Sequence, residues 1–242
     1  MTDASFRRRA LALVAAAAMS GALAGCSIVS KVNHVVTTVS QNKATIDNFA
    51  SKLRQGKAVP FAATYVTTGS TPTTVVYAVR PPHHVAFKEV PGRNPNGNPS
   101  VDLIINPSGG YACSSQSGTG SGPWQCTKLA SAKQAARNQV FNLYTPSHWI
   151  NFLLAFSLAA GFAGDKVTTS TMSVNGFSLN CVDLRAPGVQ GTSTICSTSA
   201  GILGYVKVAK NPQVFEIKSY TASPPASYFQ LPAGAKIIRQ RG

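Results

Sequence analysis

Residues 148–164, HWINFLLAFSLAAGFAG, constrain the fold most, because polar side chains interrupt the stretch only at His148, Asn151 and Ser157. A helix that is apolar nearly all round is buried. Its apolar run is shorter than the roughly 20 residues a helix needs to span a bilayer, and glycine punctuates it. Thr145 and Pro146 supply an N-cap and a first-turn proline, and Gly161 or Gly164 ends the helix. The chain must therefore build a large apolar surface for this helix to lie against.

Period-two alternation supplies that surface. FAATYVTT puts Phe61, Ala63 and Tyr65 on one face, TVVYAVR groups Val75, Tyr77 and Val79, and HVAFKEV pairs Val85 with Phe87. VDLIINP is a further strand, and an SGG turn leads into YAC. VTTSTMSV and FSLNCVDL flank Asn175-Gly176, a hairpin signal. More strands are predicted at 193–198, 202–209 and 213–221. Such a series on short connections reads as α+β with a curled antiparallel sheet of about 9–11 strands. The apolar helix belongs on the concave face of that sheet. Two packings stay open, a solid core and a slot for acyl chains.

Two other helices are predicted. Val32, Val35, Val39, Asn42, Ile46, Phe49 and Leu53 alternate in steps of 3 and 4, an apolar seam with one polar position. It predicts a helix over at least 43–55, reaching back toward 32 and ended by Gly56. That helix either packs on its own domain or pairs in a coiled coil. Residues 130–143, ASAKQAARNQVFNL, are good helix formers.

The N-terminus determines the compartment. Arg7, Arg8 and Arg9 precede an apolar run from Ala10 to Ala24, then Gly25 and Cys26. This is the layout of a secretory signal rather than a fold element. Leu23-Ala24-Gly25-Cys26 resembles the lipobox of bacterial lipoproteins. That likeness implies removal of residues 1–25 and attachment of diacylglycerol to Cys26. The alternative is an ordinary signal peptide with a chance cysteine. Residues 26–42 then form a lipidated tether, and 43–242 a single domain. The expected location is the outer face of the cytoplasmic membrane, with the export route open.

Cysteine usage fits an oxidising space. The remaining four are Cys113, Cys126, Cys181 and Cys196, too widely spaced for short zinc motifs. The expected pairs are Cys113–Cys126 and Cys181–Cys196, each closing a local loop; free buried thiols are the alternative. The segment SSQSGTGSGPWQ between the first two reads as a tip. The net charge is +15 for the whole chain and +13 once Arg7, Arg8, Arg9 and Asp3 leave with residues 1–25; it suits an anionic surface outside the membrane, and no nucleic-acid partner is expected. Lys207, Lys210, Lys218, Lys236, Arg239 and Arg241 either form one basic face or are scattered solvated charge.

Several of these features together resemble one family. An exported chain has an N-terminal helix, a run of antiparallel strands and central helices. The echoes are FAATYV after the first helix and YFQLPAGA, Tyr228 to Ala235. The pattern, over roughly residues 40–237, resembles the LolA/LolB lipoprotein-carrier superfamily, in particular its actinobacterial lipid-carrying lipoproteins. The resemblance implies a half-barrel whose helix-covered concave face holds acyl chains, and no catalytic residues. It implies a pocket lined by Tyr65, Tyr77, Phe87, Trp149, Phe152, Leu153, Phe156 and Phe177. The expected ligand is an acylated lipid, glycolipid or lipoprotein; an envelope protein partner without lipid cargo is the alternative.

The residues themselves suggest no enzyme, metal or cofactor site. The mature chain holds only Asp47, Asp102, Asp165, Asp183, Glu89 and Glu216 as carboxylates, with no two close on a common face. His83 and His84 are adjacent on a strand and so point to opposite faces. His148 reads as a local polar contact. No Gly-x-Ser-x-Gly elbow is present, and SGTGSG lacks the spacing of a dinucleotide loop.

Overall fold

The computed structural model of the protein describes residues 25–68, 72–89, 100–115, 122–131, 143–163, 167–185 and 188–239. The expected signal peptide, the Gly-Ser tip at 116–121 and most of the helix predicted over 130–143 lie outside the described residues. Two α-helices are described, α1 at Gly25–Lys57 and α2 at Pro146–Ala163. The strands are β1 Phe61–Thr68, β2 Thr74–Arg80, β3 His84–Glu89, β4 Val101–Asn106, β5 Gly109–Ser115 and β6 Trp124–Lys128. They continue as β7 Thr168–Val174, β8 Phe177–Leu184, β9 Ser193–Thr198, β10 Leu203–Lys207, β11 Val214–Thr221 and β12 Lys236–Arg239.

All twelve strands form one open sheet in the order β12-β6-β5-β4-β3-β2-β1-β11-β10-β9-β8-β7. Every neighbour pair is antiparallel except β12 with β6, which is parallel. The α+β half-barrel expected from the sequence is thus present, with two more strands than the sequence marked. Those are β6 and β12. Trp124 and Gln125, read as part of a tip, begin β6 instead. No described helix is long and apolar enough to cross a membrane.

The alternation of side chains builds the core. Tyr77 sits opposite Ala63 on one side and Phe87 on the other, and Phe87 opposite Leu103, so inward residues line up in rows. α1 adds Ile46, Phe49, Ala50 and Leu53, and α2 adds Trp149, Ile150 and Leu153, in one cluster with the sheet. The two helices pack along each other. From Asn42 to Leu53 the α1 seam is therefore occupied by its own domain. The side chains of Val32 and Val35 lie outside the described residues. The polar position of the seam has a job of its own: Asn42, 1% exposed, accepts the Val167 N–H through Oδ1 at 2.8 Å. That bond ties α1 to the start of β7.

The two cysteine pairs lie directly opposite one another on neighbouring strands at disulfide distance. Cys113 pairs with Cys126 across β5 and β6, and Cys181 with Cys196 across β8 and β9. The hairpin turn between β7 and β8 uses positive φ at Asn175 (49°) and Gly176 (83°), as an Asn-Gly turn requires. Asn175 Nδ2 then donates to Ile217 O of β11 at 2.9 Å. On the face opposite the main core, Val174, Leu179, Cys181 and Cys196 form a small second cluster.

The C-terminal segment is a strap over the convex face. Ala62, Ala78 and Ala86 face one another in register across β1, β2 and β3 and leave a shallow trough. A 3-10 turn at Ala226–Phe229 drops the Phe229 ring into it. Arg80 lies over that ring at 5.2 Å and donates to Pro224 O at 2.7 Å. Asn106 Nδ2 donates to Phe229 O at 3.1 Å. The strap continues over Tyr111 and the Cys113–Cys126 pair with Leu231 and Ala235, then becomes β12. The basic tail is therefore split rather than forming one face. Lys207, Lys210 and Lys218 lie on β10, its following turn and β11, whereas Lys236 and Arg239 are on β12, at the far edge of the sheet. Arg241 lies outside the described residues.

One carboxylate is buried under this arrangement. Asp102 is 4% exposed, with Lys88 Nζ 3.7 Å away, and Lys88 also donates to Gln230 O of the strap. Burial pushes the Asp102 carboxyl up to about 6, and the attraction of Lys88 only partly offsets it. A carboxyl raised in the fold binds its proton more tightly there than in the unfolded chain. Its contribution to stability is full below the unfolded value near 4 and is lost as pH rises through about 6. Asp102→Asn should therefore be more stable than wild type at pH 7.5, by the order of 2 kcal/mol. The gap should close near pH 4. Urea titrations at both pH values measure it; a constant gap would assign the burial cost to something other than this proton.

Candidate binding cleft

The rim of the concave face is built around Tyr144, an aromatic residue outside every periodic segment of the sequence. Tyr144 precedes the N-cap of α2, and Trp149 lies in its first turn. These are the N′ and N4 positions of a hydrophobic staple, a signal legible in YTPSHW. Tyr144 is buried between Tyr65 at 5.9 Å, Phe87 at 5.0 Å and Phe215 at 4.9 Å, ring centre to ring centre. Tyr65 stacks on Phe215 at 4.3 Å and donates its hydroxyl to Leu203 O at 3.0 Å. Trp149 donates Nε1–H to Leu143 O at 2.6 Å, which holds the segment before α2 against the helix.

Burial keeps these phenols neutral. It pushes Tyr65 and Tyr77 well up, and Tyr144 up to about 12. They act as apolar rings with a polar end rather than as acids or bases. His148 is exposed and stacks edge-on against Trp149 at 5.0 Å.

Tyr65, Tyr77, Phe87, Trp149 and Leu153 come together in one core. Phe152 and Phe156 are half-buried at its margin, Phe152 5.7 Å from Trp149. Phe177 stands apart at the β7–β8 turn, packed partly on the main core and partly on the second cluster. Cys26 is the second residue of α1.

Where Tyr144 and Trp149 meet the ends of β1, β10 and β11, the core opens. Thr67, Leu143, Val206, Val208, Val214 and Phe215, with Asn211 and Gln213 at its polar end, complete a mostly apolar cleft of about 100 Å³. It is smaller than the roughly 300–1,000 Å³ of typical small-molecule sites.

No family model matches this sequence, and no curated protein matches it. Among solved structures the chain is similar in fold to the crystal structure of MucB. The TM-score is 0.49 at 12% identity, over 79% of this chain and 64% of that one. The chain thus spans about 64% of the length of MucB. It is also similar to an uncharacterized conserved protein from Thermus thermophilus. There the TM-score is 0.47 at 6% identity, over 81% of this chain and 99% of the other.

Proposed function

We propose that the chain is an exported lipoprotein, tethered through Cys26, that binds an acylated lipid or glycolipid between α2 and the concave face of its sheet. The observation that carries this reading is the apolar cleft at the rim of an aromatic-lined core beneath an apolar helix. The sequence supports the tether through its signal-like N-terminus and lipobox-like Leu23-Ala24-Gly25-Cys26. Ligand entry displaces α2, whose close partner is the surface of α1 rather than a strand ladder. The driving force is transfer of acyl surface from water, about 25 cal/mol per Å². The proposed action is binding rather than catalysis. Among the described carboxylates, Asp47 pairs with Lys43, Asp183 accepts from Ser170 and Thr194, and Glu89 accepts the Val101 N–H.

The test uses the full chain with Cys26→Ser, purified from its own host. Native mass spectrometry should show a lipid adduct. A brominated fatty acid should quench Trp149 emission, with Trp124→Phe present to isolate the signal. Absence of any adduct together with unchanged emission refutes lipid binding and leaves an interaction module with a solid core.

A further inference from the structure

A second concavity lies away from the cleft, where α1 crosses the β7 edge of the sheet. It encloses about 430 Å³ and has a different chemistry. One face of α1 contributes Thr45, Asn48 and Lys52, spaced one turn apart, above the buried Phe49. The sheet contributes Thr169 and Thr171 from β7 and Asn180 from β8, all on the face that α1 covers. None of those six polar side chains has a hydrogen-bond or ion-pair partner among the described residues. Beside the groove, though not part of its lining, lies one buried polar group. Ser197 stands directly opposite Asn180 in the β8–β9 pairing and so shares its face. It is 0% exposed, and its hydroxyl has no partner among the described residues. A buried hydroxyl left unpaired is costly, and the proposal below rests on the groove's own lining rather than on it.

We propose that this groove is a binding site for a polyhydroxylated ligand carrying a single anionic group, such as a sugar or polyol phosphate. Hydroxyls and side-chain amides both donate and accept, which matches ligand hydroxyls that do the same. Among the described residues no carboxylate lines the groove, so a cationic ligand has no counter-charge there. Lys52 offers one positive charge for one negative group. The volume falls within the range of small-molecule sites, about 300–1,000 Å³. The groove is separate from the apolar cleft, and the proposal does not rest on acyl binding there. The same headgroup chemistry can arrive free in solution or as the head of a lipid.

The probes are glycerophosphoinositol, its halves myo-inositol and glycerol phosphate, and lysophosphatidylinositol. Each is titrated into the ¹⁵N-labelled full chain with Cys26→Ser. Glycerophosphoinositol should shift the resonances of Asn48, Thr169, Thr171 and Asn180, and each half should bind about tenfold more weakly. Thr171→Val and Asn180→Leu should each weaken binding about fivefold while the spectrum stays folded. Lys52→Met should abolish the preference for the phosphorylated probe over inositol. No shift at about 20 mM overturns the proposal. So do shifts scattered over surface lysines, or shifts along the outer backbone of β7 that ignore Asn180→Leu, the pattern of an added peptide strand.

Lysophosphatidylinositol separates the two sources. Binding about tenfold tighter than the bare head, with a Trp149 emission change, identifies a lipid head. Equal binding with silent Trp149 identifies a soluble ligand and counts against acyl binding while the groove site stands. A Trp149 change without groove shifts supports acyl binding and refutes the groove.

Discussion

Gly201→Ala should destabilise the protein by about 3 kcal/mol or more, lowering the melting temperature by about 6–12 °C in a chain of this size. Gly201 sits in the β9–β10 turn at φ +76°, where the backbone touches the end of α1. A methyl group there would stand 2.0 Å from Lys52 O and 2.9 Å from Gly56 N. Both neighbours are backbone atoms, so no side chain can swing aside. The contact is reciprocal, since a methyl group on Gly56 would stand 2.2 Å from Gly201 O. α1 can settle onto the sheet only because two glycines meet there. Gly176→Ala is the control. Its φ is +83°, but nothing lies within 4 Å of the added atom, so only the conformational strain of about 1 kcal/mol remains. Urea denaturation of both variants gives the comparison. Equal losses would show that the backbone approach of α1 does not hold the helix in place.

That contact was half legible. Gly56 is marked as a helix terminator, although α1 runs one residue past it to Lys57, and the α1 seam announces a buried face. Nothing local marked Gly201 as its partner, because the pairing is made by tertiary approach across 145 residues of sequence. The same divide runs through the fold. Ten strands were readable because alternation and turn residues are local signals, and the Asn-Gly hairpin formed where its dipeptide stood. β6 escaped because WQCTK is short and follows a Gly-Ser stretch that reads as loop. β12 escaped because a parallel edge strand depends on a crossover that its own four residues do not encode. In the core behind the candidate cleft, alternation marked Tyr65, Tyr77 and Phe87 as inward-facing. Tyr144, which joins them, lay outside any periodic segment; the staple geometry before α2 was its only signal. The Asn42 position in the seam was visible as a polar exception, but its meaning required the Val167 amide.

Phe229→Ala should release the strap and cost about 3–5 kcal/mol, the range for removing a buried aromatic ring. The echo YFQLPAGA acquires its physical meaning here: the ring fills the trough left by Ala62, Ala78 and Ala86, and Arg80 and His84 close over it. Arg80 also holds Pro224 O, so the ring and the strap backbone are secured by one side chain. The damage should be local. β5 and β6 remain joined by Cys113–Cys126 when the strap leaves, and the main core lies on the other face of the sheet. Hydrogen exchange should therefore quicken by about a hundredfold at the β12 amides, which lose their strand partner β6, while amides of β1 and β2 in the sheet centre keep most of their protection. Ala78→Leu should give the same exchange pattern from the opposite cause, by filling the trough and ejecting the ring. If either variant loosened the central strands as much as β12, the strap would be an integral part of the cooperative core rather than a covering laid across its back, and the trough of alanines would have to be read as a folding requirement instead of a docking surface.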